Sequence, residues 1–135
     1  MASTADPDRW VFTGKDDVGA RDLRVGDCFD GDLRAEVESV HRIPSDDPHT
    51  YEVFHVFEHP GPEQPMGDAE FAWVAEECET AFQSFVGVDY RDSIYYYSHL
   101  GPTPEGWDNG DHGYVCFLHN QAETLVTGSA AGTAR

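Results

Sequence analysis

The chain has 135 residues and a formal charge of −18, from 26 acidic and 8 basic residues. This length suffices for one domain with its own core, and an aromatic content of 13% argues against a disordered acidic segment. Such a charge repels nucleic acid and anionic lipid, so we expect neither as a partner. Three interpretations of the charge stay open: a solubilising or salt-adapted surface, docking to a basic partner, and mimicry of DNA phosphates, which the scattered carboxylates disfavour.

No run of about 18 apolar residues is present, so we expect no direct insertion of this chain into a membrane. The first residues also lack the basic and apolar regions of a signal peptide. Cysteines stand at positions 28, 78 and 116, and this odd count leaves at least one thiol outside any intramolecular pair. The redox compartment therefore stays open.

Hydrophobic patterning predicts several strands and one long helix. Apolar residues at helical spacing between a capping Asp68 and a terminal Gly87 indicate the helix. They are Phe71, Val74 or Ala75, Cys78, Ala81 or Phe82, and Phe85. The predicted strands are residues 23–29, 34–43, 49–59, 93–100, 114–118 and 124–128. The predicted fold class is α+β, a small and mostly antiparallel sheet of about five to six strands packed against one main α-helix.

Two of these strands carry more detailed predictions. In the strand 34–43 the apolar phase slips between Val37 and Val40, which indicates a β-bulge. The segment 49–59 is apolar on both faces, as in a central strand. The pattern puts Tyr51, Val53, His55 and Phe57 on one face and Phe54 and Val56 on the other.

For the domain organisation, we expect a flexible N-terminal arm over residues 1–20 and a single α+β domain over residues 21–128. Residues 129–135 are small and polar, and we expect them to form a flexible tail.

The stretch PTPEGWDNGDHGYVCF, residues 102–117, places two Asp, an Asn, a Trp and a His between two apolar runs. Thr103 is a good N-cap, Pro104 suits the first position of a helix, and Gly110 suits a left-handed residue at its end. The sequence therefore predicts about one helical turn here, with Trp107 held against the sheet.

Several stretches occur in an order and spacing that resemble the actinobacterial septum formation family. They are DLRVGDCF, DDPHTYEVF, AEECETAFQSFVG running into VDY, YYYSHLGPTPEGWDNGDHGYVCFL, and TGSAAG, and together they span about residues 22–132. The resemblance implies a small α+β fold without known catalytic residues. It also implies an extracytoplasmic domain of membrane-anchored proteins, loosely associated with cell division.

The resemblance also bears on the cysteines. Family members carry four, in a pattern that suggests two disulfides. Cys78 and Cys116 match the pair that joins the helix to a late strand, whereas Cys28 lacks its partner because Ser45 stands there. From the residues alone, Cys78 and Cys116 are either a disulfide in an exported chain or two buried thiols in a cytosolic one. We predict that Cys28 is a buried, unpaired thiol, because neighbouring carboxylates disfavour a reactive thiolate.

A metal-assisted hydrolase is an alternative that rests on four side chains. His99, Asp108, Asp111 and His112, the last at a position where the family favours Arg, could meet at one end of two neighbouring strands and hold a divalent ion. No HxH, HExxH or CxxC spacing supports this set. There is also no GxSxG elbow and no Gly-rich phosphate loop, so we expect no cofactor and no enzyme activity.

A run of three tyrosines is the clearest surface feature of the sequence. Because side chains alternate along a strand, Tyr95, Tyr96 and Tyr97 cannot all point inward, and at least one ring is expected to face solvent or a partner. Together with Trp107 they form the predicted binding surface. The alternative is that these rings pack on the two faces of the sheet.

The sequence thus favours a non-catalytic binding or scaffold domain associated with the envelope or with cell division. Its partner is expected to be a protein with a basic surface or a component of the cell envelope. Besides the hydrolase, a cytosolic acidic structural or assembly protein that binds a basic partner is the other alternative. An extracytoplasmic location is implied by the resemblance alone.

Overall fold

A computed structural model describes residues 17–19, 22–31, 33 and 39–135. Over these residues one six-stranded antiparallel sheet has the strand order β1-β3-β2-β4-β6-β5. The strands are β1 (Asp17–Gly19), β2 (Cys28–Asp30), β3 (Ser39–Ile43), β4 (Tyr51–Glu58), β5 (Tyr95–Leu100) and β6 (Gly113–Asn120). The helices are α1 (Gly67–Val86) and the short α2 (Pro104–Asp108), and a 3₁₀ turn covers Tyr90–Asp92. The predicted α+β class is therefore confirmed.

The predicted strand boundaries need three corrections. The predicted strand 23–29 is reduced to β2, because the chain turns at Gly26, which has a positive φ of 95°. The predicted strand 124–128 is reduced to a single bridge between Val126 and His49. β1 lies in the segment that we expected to be a flexible arm. The other residues of the predicted arm lie outside the described residues. The predicted bulge between Val37 and Val40 also lies outside them, although Val40 itself belongs to β3.

Helix α1 packs on the sheet through residues spaced by four. Val74, Cys78, Phe82 and Val86 are all buried on one stripe. Continuing this spacing toward the N-terminus reaches Glu70, not Phe71, because one position along a helix turns by about 100°. Phe71 was predicted to lie on the apolar face, but it is 69% exposed.

The helix termini confirm one predicted cap and correct the other. Gly87 ends α1 in the left-handed region, with a φ of 107°, and its N–H donates to the carbonyl of Gln83. The cap is not Asp68: the helix starts two residues earlier than expected, at Gly67, and Met66 is the N-cap. Asp68 lies in the first turn, where its charge meets the positive end of the helix dipole.

A β-bulge in β4 changes which side chains face the helix. The pairing with β6 shifts between Val53 and His55, so Phe54 is an extra residue on β4. As a result Phe54, His55 and Phe57 all face α1, where Phe54 packs on Phe82 and His55 bonds to Glu77 at 3.2 Å. The prediction that Val53 shares a face with His55 and Phe57 is therefore wrong, because Val53 packs on the opposite face of the sheet.

Two apolar clusters lie on opposite faces of the sheet, and β6 contributes to both. On the helix side, Tyr114, Cys116 and Leu118 pack with the α1 stripe, Phe54 and Trp107. On the other side, Val115 and Phe117 pack with residues of β2, β3, β4 and the loop before β2. Because its alternate residues enter two different cores, β6 is buried on both faces from Tyr114 to His119.

The closing residues 129–135, which we expected to form a flexible tail, are held against the sheet and the helix. Glu52 of β4 is 2% exposed. Its carboxylate accepts hydrogen bonds from the Ser129 hydroxyl and, at 2.8 Å, from the Ala130 N–H. Farther along, the N–H groups of Gly132 and Ala134 donate to the carbonyls of Phe85 and Val86. These bonds satisfy carbonyls that the last turn of α1 leaves unpaired.

A disulfide joins Cys78 of α1 to Cys116 of β6, as the family resemblance implied. Both cysteines are fully buried in the helix-side cluster. The bridge therefore fixes the middle of the helix to the strand that is buried on both faces. Among the described residues, no helix is long and apolar enough to cross a membrane.

Replacing Cys78 and Cys116 together by Ala is expected to lower the free energy of unfolding by about 4 kcal/mol. The reason is that the bridge spans a sequence separation of 38 residues, and its loss restores entropy to the unfolded chain. Urea unfolding of the two proteins measures the difference. A reductant should lower the urea midpoint of the wild type and leave that of the double variant unchanged. An unchanged wild-type midpoint in the presence of the reductant would contradict this prediction.

Candidate functional site

The polar stretch 102–117 folds as predicted into a short helix that seats an indole. The Thr103 hydroxyl caps α2 by accepting from the Gly106 N–H at 2.9 Å, and Pro104 occupies the first turn. Trp107 is 6% exposed, and its Nε1–H donates to the carbonyl of Pro62 at 3.3 Å. This ring was also predicted to belong to a binding surface, but its burial removes it from any surface that a partner could reach.

The side chains of the alternative metal set have separate surroundings. The His112 ring stacks on Trp107, with centroids 3.8 Å apart. Asp111 accepts from the Gly113 N–H at 3.0 Å, and Asp108 is exposed at the end of α2. His99 lies on β5, beside Tyr114. In the part of the chain that the structure describes, no three His, Cys, Asp or Glu side chains come together as a metal centre would require.

Cys28 is a buried thiol on β2. Burial raises its pKa to about 12, and the nearby charges of Glu52 and Asp27 act in the same direction. The thiolate that nucleophilic chemistry needs is therefore disfavoured at neutral pH. The Sγ–H lies 3.9 Å from the carbonyl of Gly26, a weak contact inside the loop that leads into β2.

The tyrosines of β5 alternate between the two faces of the sheet. Tyr95 and Tyr97 are half-buried on the helix side, where the Tyr97 hydroxyl donates to Glu79 at 2.8 Å. Tyr96 points the other way and is 48% exposed. Of the predicted binding surface, Tyr96 is thus the ring that a partner reaches most directly.

A groove of about 960 Å³ runs along β5, and we name it the β5 groove. Its lining includes Phe71, Arg91, Ile94, Tyr96, Tyr97 and His99. Phe71, Ile94 and Tyr96 are large apolar or aromatic side chains with exposed fractions of 69%, 50% and 48%. Three such exposed side chains around one groove make it the candidate interaction site of the described residues.

Among the residues that line the β5 groove, Arg91 is the charged side chain, and the carboxylates of Glu79 and Asp89 lie beside it. Between Arg42 and Arg135, Arg91 is the single Lys or Arg in the sequence, whereas most of the 26 acidic residues lie there. Its guanidinium is already engaged, at 2.8 Å with Glu79 and 3.3 Å with Asp89. The pKa of Asp89 is lowered, chiefly because its carboxylate accepts from the backbone N–H of Arg91 and then because of the Arg91 guanidinium. The groove therefore offers little positive charge to an incoming ligand.

His99 lies at the end of the β5 groove and is itself half-buried. Burial lowers its pKa, and the nearby charge of Glu70 on α1 opposes this shift without cancelling it. The Glu70 carboxylate also accepts from the Tyr114 hydroxyl at 3.2 Å, and burial together with Glu70 raises the pKa of Tyr114 to about 12. Burial thus favours the neutral imidazole, and the charge of Glu70 offsets only part of this effect.

Sequence reasoning missed two contributors to this groove. Phe71 was assigned to the core, although the spacing of four from Val86 to Val74 would have placed it off the stripe. Ile94 directly precedes β5, and its N–H donates to the carbonyl of Arg135. No signal in the sequence indicated that residues near the C-terminus fix the start of β5.

Comparison with known proteins gives one family match. A family model described as septum formation matches residues 25–135 of the chain. No curated protein and no solved structure matches the chain.

Stability is expected to fall as the pH drops below the usual histidine value of 6.5, in part through His99. Its folded pKa lies below its unfolded pKa, so between these two values the unfolded chain binds more protons and acid favours unfolding. His99→Gln should therefore lose less stability than the wild type between pH 7.5 and pH 5.5. Urea unfolding at both pH values measures this, and an equal loss in the two proteins contradicts it.

Proposed function

The chain belongs to the septum formation family, and we propose that its domain is a non-catalytic protein-interaction module of cell division. The observation that carries the proposal is the β5 groove, with Phe71, Ile94 and Tyr96 exposed around it. Exposed side chains of this size cost solvation free energy in the isolated protein, and a partner that covers them recovers it.

The charge of the domain supports a partner with a basic surface. With a net charge of −18, the chain attracts cationic proteins over a distance and repels acidic ones. Close to the groove, Glu79 and Asp89 both bond to Arg91, so these two carboxylates outnumber the guanidinium that they share. Lys or Arg side chains at the rim of the interface fit this arrangement.

A binding role also agrees with how the polar side chains are used. His112 stacks on an indole, Asp111 closes a turn, and Cys28 is a buried thiol with a raised pKa. Each of these groups contributes to the fold. A scaffold that presents a binding groove does not require reactive side chains.

An extracytoplasmic location is part of the proposal. The family resemblance implies it, and the Cys78–Cys116 disulfide supports it, because disulfides persist in oxidising compartments outside the cytosol. In that location the groove can contact cell-envelope components that carry cationic groups. A basic protein segment is the partner that fits the groove best.

Phe71→Ser and Tyr96→Ser are each expected to weaken partner binding at least tenfold, because truncating an aromatic anchor at the centre of an interface costs about 2 kcal/mol or more. The partner is identified by cross-linking in the source organism, purified, and its Kd measured by calorimetry for each variant. Leu125→Ser is the matched control, since Leu125 is 60% exposed but does not line the groove.

In the same experiment, the affinity for the wild type should fall as salt is added, because screening weakens attraction between opposite charges. Two results contradict the proposal: groove variants that bind like the wild type, or a partner whose binding surface is acidic.

A further inference from the structure

We propose that the β5 groove takes an extended, basic segment of the partner as an additional strand, hydrogen-bonded to the outer edge of β5. This inference rests on the proposed function for the existence of a protein partner, and it adds the way in which that partner is held. In this binding mode main-chain hydrogen bonds supply affinity and alternate side chains supply specificity.

The position of β5 in the sheet is the first step. β5 pairs with β6 along its whole length, from Tyr95 opposite Asn120 to Leu100 opposite Val115. It is the last strand in the sheet order, and no strand among the described residues pairs with its other side. An edge of this kind presents backbone N–H and C=O groups that another chain can pair with.

The hydrogen bonds identify which residues of β5 direct their backbone outward. The N–H of Tyr95 donates to the Ser93 hydroxyl at 3.0 Å, and so it is not directed at β6. Because the two sides of a strand are used alternately, Tyr97 and His99 also direct their N–H and C=O groups to the outer edge. Tyr96 and Ser98 then bond to β6.

The pairing on the far side of β6 gives the same assignment independently. Val53 of β4 donates its N–H to Asp27 at 2.8 Å, and its carbonyl accepts from Gly26 at 2.9 Å. Val53 therefore directs both groups away from β6, so Phe117 opposite it must bond toward β5. The residue opposite Phe117 on β5 is Ser98, which makes Ser98 inward and its neighbours outward.

The groove straddles this edge instead of lying on one face of the sheet. Phe71 and Tyr97 line it on the helix side, and Tyr96 and Ser98 line it on the other side. The exposed backbone of β5 is thus at the middle of the groove. A strand bound there would point its side chains alternately toward Phe71 and toward Tyr96.

The six residues of β5 give a length of about 20 Å at roughly 3.3 Å per residue, so the bound segment is about six residues long. Its apolar side chains fit the aromatic walls, and its Lys or Arg side chains meet the excess of carboxylates. A second copy of this chain is a poor occupant, because two domains of charge −18 repel each other.

The test uses a synthetic peptide, acetylated and amidated Lys-Val-Lys-Val-Lys-Val-Lys, and amide hydrogen exchange followed by NMR on the full chain. Addition of the peptide is expected to slow exchange at the N–H groups of Tyr97 and His99 at least tenfold. The N–H groups of Tyr96 and Ser98 should be unaffected, because they are already bonded to β6. Absence of binding, or protection without this alternation, overturns the inference.

Two control peptides separate the contributions. The same peptide with N-methyl groups on every residue keeps the charge but loses the backbone donors of both its edges, and it should give no protection. A peptide with Glu in place of Lys should bind more weakly because of charge. Equal protection by either control overturns the inference.

The peptide experiment and the binding experiment on the groove variants can fail separately. If Phe71→Ser and Tyr96→Ser weaken partner binding but no alternating protection is found, the interaction module stands and strand addition is wrong. If Tyr97 and His99 become protected on concentrating the protein alone, with dimers in sedimentation, a second copy is the occupant and the inference is also wrong.

Discussion

The burial of β6 on both faces is the constraint on which the other elements depend. Its alternate side chains enter two different cores, so neither neighbouring strand can slip in register without moving apolar groups into water. The Cys78–Cys116 bridge then fixes α1 to the same strand. With β4 on one side of β6 and β5 on the other, β5 becomes the end of the sheet among the described residues, and the groove forms along it.

The helix side of the sheet carries an unusual load of aromatic side chains, and the bulge at Phe54 explains it. One extra residue puts Phe54, His55 and Phe57 on the same face. There Phe54 and Phe57 pack against rings of α1 and β6. Phe71 is left outside this packing, one position off the buried stripe, and so it remains available to the groove.

The fold class, α1, the turn at Trp107 and the alternation of the β5 tyrosines could all be predicted, because each depends on residues close together in the chain. The bulge in β4 could not be predicted, since the pairing with a strand about sixty residues later decides its position. The position of residues 129–135 could not be predicted either, because it depends on a hydrogen bond between Ser129 and the buried Glu52 that forms only in the folded state. Burial of Trp107 and exposure of Phe71 likewise follow from tertiary packing. The candidate site therefore keeps the β5 part of the predicted surface, loses Trp107 and gains Phe71.

The domain is best understood as a rigid frame that presents one strand edge. The disulfide, the two-sided burial of β6 and the hydrogen bonds that the Glu52 carboxylate accepts hold the frame. In the function proposed above, the acidic surface selects the partner. Native-state amide exchange of the free, monomeric protein tests this most directly. The account predicts fast exchange at Tyr97 and His99 and slow exchange at Tyr96 and Ser98. Slow exchange at all four amides would mean that the edge of β5 is already covered, and it would contradict the account.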